Sequence, residues 1–300
     1  MRGGGSSVDA LFIKTVLLPG AVGIIMFGLG LALIPADFAR VLRFPRAVIV
    51  GLLVQTFVLV AVAFGITLIF ALPPALAVGL MLLAASPGGA LANIFSHLAD
   101  GDVALNVTLT AVNCVLALAW VPLVLDWSLG YFMGSGHYVA PPAQKIVEVA
   151  AFIVLPVALG MIVRRLALPF ALRAQLPVRV LSIALLAVVI GVAIAGAGTE
   201  LLDHVAAVGL ACLAFNLVSM GIGYAAPRAV GLPSRQAISI AFEIGVHNSA
   251  IAIYIALSAL QNETIAIPAG VYGLIQIATA SLAVFGLRRR RQARALAGET

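Results

Sequence analysis

Apolar residues run through this chain in blocks long enough to cross a lipid bilayer. A helix needs about 20 apolar residues to span the hydrocarbon core, and windows of that length recur between short polar connections. These windows are apolar on every side, whereas the strands of a membrane barrel alternate with period two. The pattern therefore predicts an all-α polytopic membrane protein. The nine predicted spans are 15–34, 47–71, 73–99, 103–125, 146–163, 178–197, 205–226, 236–258 and 265–287.

Composition leads to the same class of protein. Of the 300 residues, 63% are apolar and only 9% are charged, with a mean hydropathy of +1.18. A soluble domain carries about 25% charged residues, so most of this surface must face hydrocarbon. The basic run RRRRQAR at 288–294 is therefore interpreted as an anchor near anionic lipid headgroups and not as a nucleic-acid site.

Basic residues concentrate in alternate connections between the spans. With the N-terminus outside, 14 of the 17 basic residues fall in cytoplasmic connections, and only Arg2, Lys14 and Lys145 do not. Those connections are 35–46, 99–102, 164–179, 227–235 and 288–300. Cytoplasmic loops carry an excess of Lys and Arg, so the N-terminus is expected outside and the C-terminus, a basic tail over 288–300, inside. The expected location is a cell membrane, the inner membrane of a bacterium.

The third span contains a cluster of helix breakers. Pro87 lacks an amide hydrogen, and Gly88 and Gly89 have weak helical preference. Together they predict an interruption near mid-span, with a half-helix that begins around Gly89–Ala90. Asn93 follows within the first turn of that half-helix.

The eighth span carries the deepest charge. Its middle holds Glu243, Gly245, His247, Asn248 and Ser249 within seven residues. A carboxylate at the bilayer centre costs at least ~2.5–3.5 kcal/mol and is kept mainly for function. No predicted span carries an arginine at matching depth, so Glu243 is expected to be functional. A second helix break is expected at Gly245.

The two breaks occupy comparable places in spans of opposite direction. Spans two to four (47–125) and seven to nine (205–287) could form an inverted repeat, and spans 15–34, 146–163 and 178–197 a supporting bundle within one transporter domain, 1–300. Many secondary transporters build a midplane site in this way: half-helix N-termini face an anion and unwound carbonyls hold a cation.

Three segments carry a resemblance to a known family. SPGGALANIFSHLADGDVALNVTLTAVN, EIGVHNSAIA and GIIMFGLGLALIPADF resemble the bile acid:sodium symporter family, in order and over about residues 20–287. The resemblance implies a panel bundle and a core bundle with two crossing, broken helices. It also implies sodium-coupled symport of an organic anion by alternating access, with sodium as the coupling ion, no other cofactor and no catalytic residue.

The resemblance also implies cation ligands, residue by residue. The first sodium site would use Asn93, Asn106, Thr110 and Glu243, and the second Gln55, Glu243, Ile244, Val246 and His247. Asn106 and Ala92 stand where serines are usual, and His247 stands where glutamine is usual. One or two sodium ions are therefore expected, and proton coupling through His247 near Glu243 stays an alternative.

The substrate side departs further from the family pattern. Gly89, Ala90 and Asn248 are candidate anion contacts, and Gln276 with Ile277 stands where some members carry a His-Asn pair. A bile acid-like anion and a smaller 2-oxo or hydroxy acid both remain open. A membrane enzyme would need a clustered nucleophile, base or metal set, and a passive channel would need rings of polar residues along several spans. Neither pattern is found in the sequence.

Overall fold

The computed structural model describes residues 16, 18–134, 143–196 and 200–296. Regular structure in this part is helical apart from one isolated two-residue bridge. The α-helices are α1 Leu18–Ala32, α2 Pro35–Ala39, α3 Pro45–Leu53, α4 Leu59–Ile69, α5 Pro74–Ala85, α6 Ala90–Leu98, α7 Val103–Met133, α8 Ala143–Leu166, α9 Leu168–Gly196, α10 Glu200–Ala229, α11 Ser234–Gly245, α12 Ser249–Tyr254 and α13 Glu263–Leu296. The predicted outside residues Arg2 and Lys14 lie outside the described ranges.

Several of these helices have the length and apolar composition of membrane spans. Among the described residues, four are long and apolar enough to cross one, and the pair α1 and α2, bent by 70°, would make a fifth. The four are Pro45–Ile69, Val103–Met133, Ala206–Ala229 and Glu263–Arg290. Shorter apolar helices, Pro74–Ala85 and Ser249–Ala259, fall within the predicted third and eighth spans. The chain is a multi-pass membrane protein, as its composition predicted.

The predicted connection 164–179 is itself largely helical. Only Ala167 separates α8 from α9. Pro169 lies in the first turn of α9, where proline needs no amide partner. The following Ala, Leu, Arg and Gln residues favour helix, so the helix begins well before the apolar run. The basic tail is likewise helical as far as Leu296.

The first helix packs against α8 and α9, whereas α5 packs against α7 and α13. Small residues let α1 and α8 approach closely: a Cβ on Gly30 would overlap the carbonyl of Val157. Where α1 ends, Arg164 and Gln175 both donate hydrogen bonds to the Leu31 carbonyl, at 2.7 and 2.9 Å. These donors satisfy a backbone acceptor that the end of the helix leaves free.

Candidate cation and anion site

Two interrupted helices meet at their interruptions. The first gap lies between α5 and α6 at residues 86–89, and the second between α11 and α12 at 246–248. The amide of Gly89 donates to the carbonyl of Val246 at 3.2 Å, and the amide of Asn248 donates to that of Pro87 at 2.8 Å. Backbone polar groups cannot stay unpaired in hydrocarbon. Each break therefore supplies the hydrogen bonds that the other has lost.

The Glu243 carboxylate lies beside this crossing, with the residue only 1% exposed. Thr110 Oγ1 donates to Oε2 at 2.6 Å, and Asn113 Nδ2 donates to Oε1 at 3.2 Å. Both donors project from α7. Within the described residues no arginine or lysine pairs with this acid. A buried carboxylate held only by neutral donors keeps a strong attraction for a cation.

Gly88 brings the carboxylate into contact with the first break. A Cβ added to Gly88 would lie 2.7 Å from Glu243 Oε2 and closer still to the rest of the carboxylate. Only a residue without a side chain fits there. The acid of α11 therefore packs directly on the unwound backbone between α5 and α6.

Several amide oxygens near the broken helices are buried without a donor among the described residues. They are Gln55 Oε1, Asn93 Oδ1, Asn106 Oδ1 and Asn216 Oδ1; Gln276 Oε1, on α13, is buried without a donor in the same way. The nitrogens of Gln55 and Asn106 are used elsewhere: Gln55 Nε2 donates to the Ser86 carbonyl at 3.1 Å, and Asn106 Nδ2 to the Ser239 carbonyl at 2.7 Å. An unmet buried acceptor costs about 1–3 kcal/mol, and hard cations take oxygen ligands. These oxygens suit a hard cation.

Two of the predicted second-site residues, Gln55 and His247, meet at Ser86. Its carbonyl accepts from Gln55 and lies 3.0 Å from His247 Nδ1, while His247 Nε2 is buried without a partner in the described structure. The imidazole stacks on Phe215, with ring centroids 5.6 Å apart. Ile244 and Val246 are fully buried, and the Val246 carbonyl already accepts from Gly89.

The predicted anion contacts lie at the starts of two half-helices. The helix α6 begins at Ala90, directly after Gly89, and α12 begins after Asn248, whose Oδ1 accepts from the Ile251 amide at 3.4 Å. A Cβ on Gly89 would lie 3.7 Å from Asn248 Cα, so the two starts adjoin. Helix N-termini attract anions. Gln276 is buried on α13, and no hydrogen bond joins its side chain to these residues in the described structure.

Four residues of the site were not predicted from the sequence. Asn113 was detectable, because Asn106, Thr110 and Asn113 follow each other at helical spacing on one face of α7. The sequence pattern around the other three residues does not mark them as functional. Ser239 accepts through its backbone from Asn106, and Asn216 and Tyr272 both donate to the Gly245 carbonyl at 2.8 Å. Gly245, predicted as a break, is the last residue of α11 and is held there by these two donors.

Residues 19–204 match the sodium bile acid symporter family. This match covers more than half of the chain, so the chain belongs to that family, and the resemblance of the sequence motifs is confirmed. The matched region includes the break between α5 and α6 but ends before Glu243.

Similar proteins come from bacteria, plants and animals. An uncharacterized sodium-dependent transporter of Bacillus subtilis, YocS, is 28% identical over 84% of this chain and 77% of its own length. A probable chloroplastic sodium/metabolite cotransporter of Oryza sativa is 28% identical over 82% of this chain and 59% of its own length. The human ileal sodium/bile acid cotransporter is 27% identical over 81% of this chain and 68% of its own length. All three are named as sodium-dependent transporters.

Proposed function

We propose that this protein is a secondary active transporter that couples sodium entry to symport of an organic anion by alternating access. The observation that carries the proposal is the buried Glu243 carboxylate on the crossing of two broken helices, close to amide oxygens that lack donors. Family membership and the sodium-dependent relatives support the same conclusion.

The proposed topology has nine spans, with the N-terminus outside and the C-terminus in the cytoplasm. The third span would combine α5 with α6, and the eighth α11 with α12. Regions 47–125 and 205–287 would form the core bundle as an inverted repeat, and α1, α8 and α9 the panel. The extensive packing of α1 on α8 and α9 supports this division.

Sodium is proposed to bind on both sides of Glu243. One ion would take oxygens of Asn93, Asn106, Thr110 and Glu243. A second would take Gln55, Glu243 and backbone carbonyls around Ile244 and Val246, with His247 beside them. Each ion would offset the buried negative charge and brace the crossing, because its ligands come from different helices.

The organic anion is proposed to bind at the adjoining starts of α6 and α12, through Gly89, Ala90 and Asn248, with Gln276 as a further contact. The same crossing carries the sodium ligands, so cation binding would organise the backbone amides that receive the anion. The proposed substrate is a bile acid-like anion or a small 2-oxo or hydroxy acid; two relatives are named as cotransporters of a metabolite and of bile acid.

Proton coupling is the second candidate, and the buried, unpartnered Nε2 of His247 favours it. Uptake into proteoliposomes distinguishes sodium coupling from proton coupling. A sodium gradient at equal pH on both sides should drive accumulation of labelled taurocholate or pyruvate above equilibrium. A pH gradient without sodium should not. Accumulation driven by the pH gradient alone would replace sodium with the proton.

A further inference from the structure

A groove of about 370 Å³ opens between α10, α11 and α13, at the end of these helices that carries the basic run. One wall is a stripe along α13 formed by Ala283, Gly286, Leu287 and Arg290. These positions follow helical spacing, so they face the same way. The groove is thus apolar along its length and ends in a guanidinium.

Small side chains leave the space that forms the groove. Gly286 has no neighbouring heavy atom within 4 Å of the place where a Cβ would stand. Ala241 and Ala283 line the same groove, and Met220 and Phe242 form its opposite wall. On a membrane-embedded bundle, an apolar groove of this kind offers a surface against which a hydrocarbon chain can pack.

Arg290 has no hydrogen bond or ion pair with another described residue, unlike its neighbours. Arg288 Nε donates to the Leu98 carbonyl at 2.8 Å, and Arg289 lies over the Phe285 ring, 5.5 Å from its centroid. The Tyr224 hydroxyl, 3.3 Å from that of Ser234, stands at the same groove. The groove therefore offers an unpaired cation and the Tyr224 side chain to an anionic head group.

We propose that this groove is a binding site for an anionic phospholipid of the surrounding bilayer, with its phosphate at Arg290 and an acyl chain along Gly286 and Phe242. Phe242 precedes Glu243 on α11, so the lipid would press on the half-helix that carries the buried acid. The proposal requires a multi-pass membrane protein, but it does not depend on which ion or anion is transported.

The test uses the full chain in phosphatidylcholine vesicles with a photoactivatable phosphatidylglycerol, followed by mapping of labelled peptides by mass spectrometry. Label should fall on the segments 238–242 and 283–287. Unlabelled phosphatidylglycerol should displace the probe about fivefold better than phosphatidylcholine, the preference expected of one basic residue facing an anionic lipid.

Two pairs of variants localise the effect. Arg290→Ala should abolish the preference for phosphatidylglycerol, whereas Arg289→Ala, whose guanidinium lies on Phe285, should keep it. Gly286→Leu should fill the groove and remove most labelling, whereas Gly209→Leu, which also has open space around its Cβ position, should not.

Four results would overturn the proposal: equal displacement by the two lipids, displacement by a water-soluble organic anion, unchanged labelling in Gly286→Leu, or protection of the groove by a second copy of the chain. Failure here would leave the transport proposal intact, because sodium-driven uptake is measured separately.

Discussion

The Cα of Gly88 lies against the carboxylate of Glu243, with no room for a single methyl group between them. This contact joins the two broken helices, since Gly88 belongs to the first interruption and Glu243 to the last turns of α11. A charge that binds or loses a cation at this point acts directly on the unwound backbone of the opposite helix.

Gly88→Ala should therefore impair transport. The added methyl group must displace the carboxylate, and overpacking of this kind costs about 1–3 kcal/mol. Sodium-dependent uptake per folded molecule should fall about tenfold or more, measured in proteoliposomes with the protein content quantified.

Gly89→Ala is the matched control for that substitution. Its Cβ would be in ordinary contact, 3.7 Å from Asn248, and its φ of −113° suits any residue. The sodium concentration for half-maximal uptake should stay close to that of the wild-type protein; the apparent affinity for the anion is not compared, because Gly89 is a proposed anion contact. An equal rise in this sodium concentration in both variants would show that the break tolerates no side chain at all, and that the carboxylate is not the reason.

Asn113→Ala should weaken sodium activation. Asn113 donates to Glu243 Oε1 and so orients the carboxylate, and a hydrogen bond to a charged group contributes about 1.5–3 kcal/mol. The sodium concentration for half-maximal uptake should rise roughly tenfold or more, with the maximal rate less affected. Thr108→Ala serves as the control, because Thr108 Oγ1 donates to the Ala104 carbonyl of its own helix and, in the described structure, has no bond to Glu243. An unchanged sodium dependence in Asn113→Ala would contradict the role given to this residue.

His247 can be replaced in two informative ways. Glutamine can still donate to the Ser86 carbonyl and adds an amide oxygen, so His247→Gln should transport with a sodium Hill coefficient near two, like the wild-type protein. Leucine has no donor for that carbonyl, so His247→Leu should lose sodium-dependent uptake. Hill coefficients from initial rates check both. A wild-type coefficient near one that rises toward two in His247→Gln would show that the imidazole displaces the second sodium ion, and would contradict the two-ion proposal.

The proposed orientation predicts which cysteines are reached from each side. In a background with Cys114→Ala and Cys212→Ala, Arg46→Cys and Arg235→Cys should react with an impermeant maleimide only after the cells are opened. Both positions lie in the predicted cytoplasmic connections. Labelling of intact cells at either position would reverse the topology or change the number of spans.

The sequence predicted the helix interruptions because their cause is local. Pro87, Gly88 and Gly89 disfavour helix whatever surrounds them, and Glu243 stood out as a charge within an apolar run. Pairing of the two breaks through Gly89 and Asn248 depends on the tertiary fold, so composition and spacing carry no sign of it. Tyr272 was unpredictable for the same reason, because an aromatic residue in a span is ordinary until its hydroxyl reaches the Gly245 carbonyl.

The bounds of α8 and α9 could not be predicted from hydropathy. Hydropathy marks the part of a helix inside hydrocarbon, whereas helix propensity continues into the polar layer. Arg173 and Gln175 lie before the predicted span 178–197, yet both favour helix, and Gln175 donates a hydrogen bond at the end of α1. The predicted span is therefore the apolar part of a longer helix.

The most direct test of the central claim compares wild-type protein with Glu243→Gln, which keeps the shape of the side chain and removes its charge. Both proteins are reconstituted at equal folded amounts, and initial uptake of the labelled anion is measured against sodium concentration at constant pH. Sodium binding at Glu243 predicts that wild-type uptake rises with sodium and saturates, and that the variant loses this dependence. A variant whose uptake per folded molecule follows the same sodium curve as wild type would contradict the claim that Glu243 binds the coupling ion.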